Sequence, residues 1–148
     1  MKTCFFIGHR DAPESIYERL LSAVERHISE YGVTDYVVGR YGNFDHLAAR
    51  AVIEAKQHHS DITLTLLMPY YRTGAEPLPD GFDGSLFPDD LETVPKRAAI
   101  LRANQYMIHH CDYLIAYDAG RIGNTRKLVA EAEKIEGLHI ENVASILV

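Results

Sequence analysis

Three glycine-bearing segments hold most of the side chains in this chain that are suited to chemistry. They are Gly8-His9-Arg10, Gly39-Arg40-Tyr41-Gly42-Asn43-Phe44-Asp45 and Gly120-Arg121-Ile122-Gly123-Asn124-Thr125. Glycine lets a backbone approach a ligand closely, and Arg10 offers a planar fork to phosphate or carboxylate. In the second segment the glycines permit a tight turn. The helix after it would direct free N–H groups at an anion, and Asp45 in its first turn could accept from a ribose hydroxyl. Gly123, Asn124 and Thr125 repeat the strand–glycine–helix arrangement. Any α/β protein needs glycines at its turns, so each segment alone says little. Three of them, each placed where a strand ends, make the signal. None is a GxxxxGK[ST] or a GxGxxG loop.

Other candidates are weaker. Arg97, Arg102 and Asn104 fall on one helix beside an Ala-Ile-Leu stripe. The arginines either reach a ligand or pair in solvent with Asp90 or Glu92. His58-His59 and His109-His110 stand at expected helix ends, where positive charge is favourable, and neighbours on a helix point apart, so neither pair suits a chelate. No metal site is expected. His9 and His46 are better placed, in or after the glycine turns. No Ser-His-Asp or Cys-His set can be assembled. The candidates for catalysis are Asp45 and Arg102. Cys4 and Cys111 form no CxxC and read as reduced thiols in or near the core.

The elements that must position these residues alternate. Apolar runs at Thr3 to Ile7, Asp35 to Val38, Ile62 to Met68 and Asp112 to Tyr117 read as buried strands, with a further strand within 139–148. Between them lie helical patterns. The first begins at Asp11 as N-cap, with Pro13 in the first turn and Glu14 as the capping-box carboxylate, and carries Ile16, Leu20, Ala23, Val24, His27, Ile28 and Tyr31 to Gly32. The second runs from Asn43 to about His58 on Leu47, Ala48, Ala51, Val52 and Ala55. The third spans Pro95 to His110, and the fourth runs from Gly123-Asn124 to about Glu136. The expectation is one domain over 1–148: α/β, a Rossmann-like three-layer αβα sandwich with a mainly parallel sheet. Residues 70–94, rich in Pro, Gly and Asp, are either a lid over a site or a solvated insertion.

Composition narrows the function classes. The chain has 148 residues and 47% hydrophobic content, enough for one core. Its formal net charge of −6 disfavours a nucleic-acid-coating surface while leaving room for a local basic pocket. The leading apolar run is too short for a signal peptide and no stretch reaches a membrane span, so a cytoplasmic protein is expected.

Read in order, Phe6-Ile7-Gly8-His9-Arg10, Gly39-x-x-Gly42-x-x-Asp45-x-x-Ala48, Arg102-Ala103-Asn104-Gln105-Tyr106-Met107, Cys111 to Tyr117 and Gly123-Asn124-Thr125 resemble the SLOG superfamily. That group joins the LOG or "lysine decarboxylase-like" phosphoribohydrolases with the DprA/SMF proteins and the YpsA-like proteins, and the Gly-His-Arg start is nearest the YpsA-like branch. The resemblance spans nearly the whole chain. It implies a nucleotide-binding fold with Gly8 and Arg10 by the ligand, Gly39, Gly42 and Asp45 in a second ligand loop, and Gly123, Asn124 and Thr125 around phosphate. It also implies a homodimer. Active LOG enzymes carry Pro-Gly-Gly-x-Gly-Thr-x-x-Glu. Here Asp118-Ala119-Gly120 replaces the first part, and Leu128 stands where the hydrolytic glutamate belongs. Arg40-Tyr41 also replaces smaller residues common in relatives.

Three functions follow as expectations. The first is binding or sensing of a nucleotide-derived ligand such as AMP, NAD or ADP-ribose, with no required cofactor beyond the bound nucleotide or phosphate. The second is an N-glycosidase of nucleoside 5′-monophosphates with a substitute acid, Asp45, Asp118 or Glu131. The third is an interaction scaffold without enzymatic activity.

Overall fold

The computed structural model describes residues 2–69, 77–88, 91 and 93–144, and only the backbone of Arg97. Six strands, β1 (Thr3–Gly8), β2 (Asp35–Val38), β3 (Thr63–Leu67), β4 (Gly84–Leu86), β5 (Tyr113–Tyr117) and β6 (His139–Asn142), form one sheet in the order β4-β3-β2-β1-β5-β6. Every neighbouring pair is parallel. Four helices, α1 (Tyr17–Ser29), α2 (Asn43–Lys56), α3 (Lys96–Ile108) and α4 (Asn124–Glu133), complete the αβα layering.

The layers follow from alternation along the strands. Cys4 and Phe6 of β1 face one side, where they pack with Tyr36, Val38 and Leu64 against α1 and α2. Phe5 and Ile7 face the other side, where they meet Val37, Leu114 and Ala116 under α3 and α4. The apolar stripes behave as their 3.6-residue spacing requires: Leu20, Ala23, Val24 and His27 of α1, and Leu47, Ala48, Ala51, Val52 and Ala55 of α2, are all buried. Cys4 and Cys111 are free, and burial pushes both thiols up, Cys111 to about 12. No helix among the described residues is long and apolar enough to cross a membrane.

Two expectations change. The first helix does not start at an Asp11 cap. A short 3-10 turn, Glu14–Ile16, comes first, and α1 begins at Tyr17 with no side-chain cap. Asp11 faces across the sheet end instead, where Arg121 holds its carboxylate; the bidentate bond to a guanidinium outcompetes a local capping bond. The second change lies within 70–94. Gly84–Leu86 is neither lid nor solvated insertion but the edge strand β4, paired to Thr65–Leu67. Asp83 anchors it by accepting from Leu64 N (2.8 Å) and from Lys56 Nζ (2.6 Å). Residues 70–76, 89, 90 and 92, on which much of the lid question and the proposed pairing with Asp90 or Glu92 fall, lie outside the described residues.

From β1 the chain moves through β2 and β3 to β4 on one side, then crosses back to place β5 and β6 on the other. The strand order therefore reverses at β1. Parallel α/β sheets open a crevice at the carboxyl end beside such a reversal.

Candidate functional site

A cleft of about 170 Å³ opens at that carboxyl end, much larger than the ~10–15 Å³ a single water needs. Two hollows more open to solvent lie elsewhere, one at Lys2, Tyr31 and His139 by the amino ends of β1, β5 and β6, the other at Asp35, Thr65 and Tyr106 between β2, β3, β4 and the end of α3. The carboxyl-end cleft is the one built from the glycine turns.

The β1–α1 turn supplies Gly8 and Arg10. A Cβ on Gly8 would stand 2.3 Å from Phe44 Cγ, so only glycine lets the end of β1 pass α2. Arg10 lines the cleft with an exposed guanidinium that makes no hydrogen bond or ion pair among the described residues. His9 between them is not part of the cleft lining. Its Nε2 accepts from Ala119 N at 2.9 Å, and its ring meets Tyr117 edge-on. Burial and then the Arg121 charge hold its pKa below the usual histidine value, which suits a neutral ring with Nε2 as acceptor. His9 and the Asp11–Arg121 pair thus tie the β1–α1 and β5–α4 turns together.

The β2–α2 turn supplies Gly39, Tyr41 and Asp45. Asp45 Oδ2 accepts from Tyr41 N at 3.0 Å and would lie 2.9 Å from a Cβ on Gly39, so the carboxylate fills the inside of the turn. Burial pushes Asp45 up to about 6, against the lowering effects of the Tyr41 amide and the Arg10 charge. Gly42 does not line the cleft. A Cβ there would meet the Arg10 backbone at 2.7 Å, and Asn43 N donates to Arg10 O at 2.8 Å. Gly42 therefore sets how closely the two turns pack. The exposed His46 is outside the lining as well.

Helix α3 contributes Ile100, Leu101, Ala103 and the half-buried Asn104. Arg102 is exposed and is not on the cleft wall, and the side chain of Arg97 lies outside the described residues. Helix α4 is entered through Gly123 and presents Asn124 and Thr125, with Leu128 one turn on. Among the described residues the amides of Asn124, Thr125 and Arg126 have no acceptor, as a helix's first turn dictates. Gly123 itself is not in the lining, but no heavy atom would come within 4 Å of a Cβ there, which leaves the helix start open.

With Phe6, Ile7, Leu67 and Pro69 the cleft thus has an apolar wall and a polar end. The wall suits a flat ring. The polar end pairs one cation with open helix amides and suits an anion. The chain matches no family model, and none of the curated proteins compared with it shows significant similarity.

Of the singled-out residues, the structure brings Gly8, Arg10, Gly39, Asp45, Asn104, Asn124 and Thr125 to one cleft. Two of the three substitute acids stand apart. Asp118 is buried, accepting from Gly120 N (2.9 Å) and from Arg126 Nη1, and Glu131 accepts from Gln105 and pairs with His109 Nε2 at 2.8 Å. His59 pairs separately with Glu25 at 2.8 Å. Sequence reasoning missed the clamp around Asn142, whose Oδ1 accepts from Asp118 N and Ala144 N while Nδ2 donates to Asp118 O. A polar residue closing an edge strand was its only trace in the sequence.

Proposed function

We propose that this chain is a nucleotide-binding module that takes a nucleotide or nucleotide-derived ligand, AMP, NAD or ADP-ribose, with its phosphate at the start of α4 and its base against the apolar wall. The observation that carries this is the convergence of an unpaired Arg10 and the open amides of Asn124 and Thr125 on one cleft with an apolar side. The SLOG resemblance, nearest its YpsA-like branch, supports the same reading, and with it goes the proposal of a cytoplasmic setting and a homodimer.

A panel of AMP, NAD and ADP-ribose in thermal unfolding tests it. A ligand at about 100 times its Kd adds roughly 2.7 kcal/mol and raises Tm by a few degrees. Arg10→Ala should remove most of that shift, since a charge-assisted bond to phosphate contributes about 1.5–3 kcal/mol. A flat panel at millimolar ligand removes the reading and favours the scaffold function.

One observation favours turnover as a second reading: Asp45, pushed up to about 6, lies on the cleft wall and so could act as an acid in N-glycosidic hydrolysis of a nucleoside 5′-monophosphate. Against it, Leu128 lines the cleft where LOG enzymes carry glutamate, and leucine cannot polarise water. Adenine released from AMP by the wild type and not by Asp45→Asn would establish hydrolysis.

A further inference from the structure

Asp45 is the one acidic side chain on the described wall of the cleft. Its two oxygens differ. Oδ2 is held between the Tyr41 amide and Gly39. Oδ1 has no hydrogen-bond partner among the described residues and is not sealed from the cleft. Around it, the β1–α1 turn brings Arg10 and its own loop brings Tyr41. β3 brings Leu67, α3 brings Ile100, Leu101 and Asn104, and α4 brings Asn124 and Thr125. Arg10 is thus the only described charge that faces Asp45.

The same cleft holds the amides suited to an anion. Asp45 and the start of α4 at Asn124 and Thr125 line this one cleft together. With Asp45 ionised, two like charges would share a partly dry space, each disfavouring the other. With Asp45 protonated, the repulsion disappears and Oδ1 becomes a donor to the anion's oxygen.

Building on the ligand reading above, we propose that the cleft takes up its anion together with a proton from solvent, carried on Asp45 Oδ1 and donated as a hydrogen bond to the bound anion. Asp45 then acts as a charge gate: the anion raises proton affinity at Asp45, and protonation raises anion affinity by the same factor. Burial already pushes the free group up to about 6, so the proton costs little near neutral pH.

The test uses inorganic sulfate, whose charge is constant across the range, and the full chain labelled with 13C and 15N. The Asp45 carboxyl carbon and the Tyr41 amide are followed by NMR from pH 4.5 to 8, with and without sulfate. The expected result is a shared midpoint near 6 in the free protein, raised by about one pH unit or more at saturating sulfate. Sulfate should bind wild type about tenfold more weakly at pH 8 than at pH 5.5. In Asp45→Asn, which keeps an acceptor for Tyr41 N, that pH dependence should vanish. If this variant fails to fold, the wild-type titration decides alone.

Sulfate that shifts the Asn124 and Thr125 amides but leaves the Asp45 midpoint unmoved overturns the proton coupling and leaves nucleotide binding standing. Sulfate that moves neither overturns the coupling as well. Nucleotide binding then falls with it only if the AMP, NAD and ADP-ribose panel is also flat.

Discussion

Helices α2 and α4 begin with almost the same words, Gly42-Asn43-Phe44-Asp45 and Gly123-Asn124-Thr125-Arg126, and use their N-termini in opposite ways. At α2 the first amide already donates to Arg10 O, Asn43 Nδ2 donates to Ala12 O, and Asp45 supplies a carboxylate in the first turn. At α4 there is no acidic residue in the first turn, and Arg126 reaches back to the buried Asp118. A helix start that carries its own negative charge and packs against a neighbouring turn serves the fold. One that keeps open amides on a cleft has the chemistry to meet an anion. The glycine does not decide between these fates. The third helical residue does, together with what lies against the glycine.

The largest effect should come from the glycines themselves. Gly42→Ala pushes a methyl into the Arg10 backbone and should lower stability by about 2–3 kcal/mol in urea unfolding. Gly123→Ala meets no atom within 4 Å, and its φ of +152° should cost only about 1 kcal/mol. Equal losses would break the comparison.

Next is Asp45. Its folded pKa of about 6 lies above the unfolded value, so its contribution to stability is present below about pH 4 and lost as pH rises through 6. Asp45→Asn should gain roughly 2 kcal/mol at pH 8 and nothing at pH 4, measured as the pH dependence of ΔG. The buried His27 at the other end of the sheet works in the opposite direction. Burial lowers its pKa, so its contribution is present above about 6.5 and lost as pH falls through the lower, folded value. His27→Gln should flatten the acid limb that Asp45→Asn leaves untouched.

The smallest effect sharpens the comparison most. Thr125→Asp puts a carboxylate into the first turn of α4, one position before the place Asp45 holds in α2. Helix stability should rise by about 0.5 kcal/mol, while AMP affinity falls tenfold or more. Unchanged affinity would mean the anion does not approach that helix.

Much of this was readable from residues, for identifiable reasons. The strands are apolar runs and the helices carry stripes, and both patterns are local. The cleft's glycines and Arg10 were found because their positions follow from strand ends. What escaped depended on partners distant in sequence. His9 looked like a ligand group because nothing nearby shows that Ala119 N occupies its Nε2. Asp11 looked like a cap because its true partner, Arg121, is 110 residues away. Strand β4, three residues long, offers no period to detect. Arg102 shared a helix with Asn104, but two residues of helical rotation turn it off the cleft wall.

The central place of β1 has a consequence for the chain as it is being made. Of the six strands of this sheet β1 leaves the ribosome before the others, and it can pair with β2 as soon as Asp35 to Val38 follow. Its other edge waits for β5, and Thr3 N finds its acceptor on Asp112 only 109 residues later. At synthesis rates of roughly 5–20 residues per second, that edge stays bare for about 5–20 s. It carries Phe5 and Phe6, the kind of strand that pairs with a wrong neighbour while it waits. β2, β3 and β4 are therefore all made while β1 is half paired, and β5 is the element whose arrival ends that exposure.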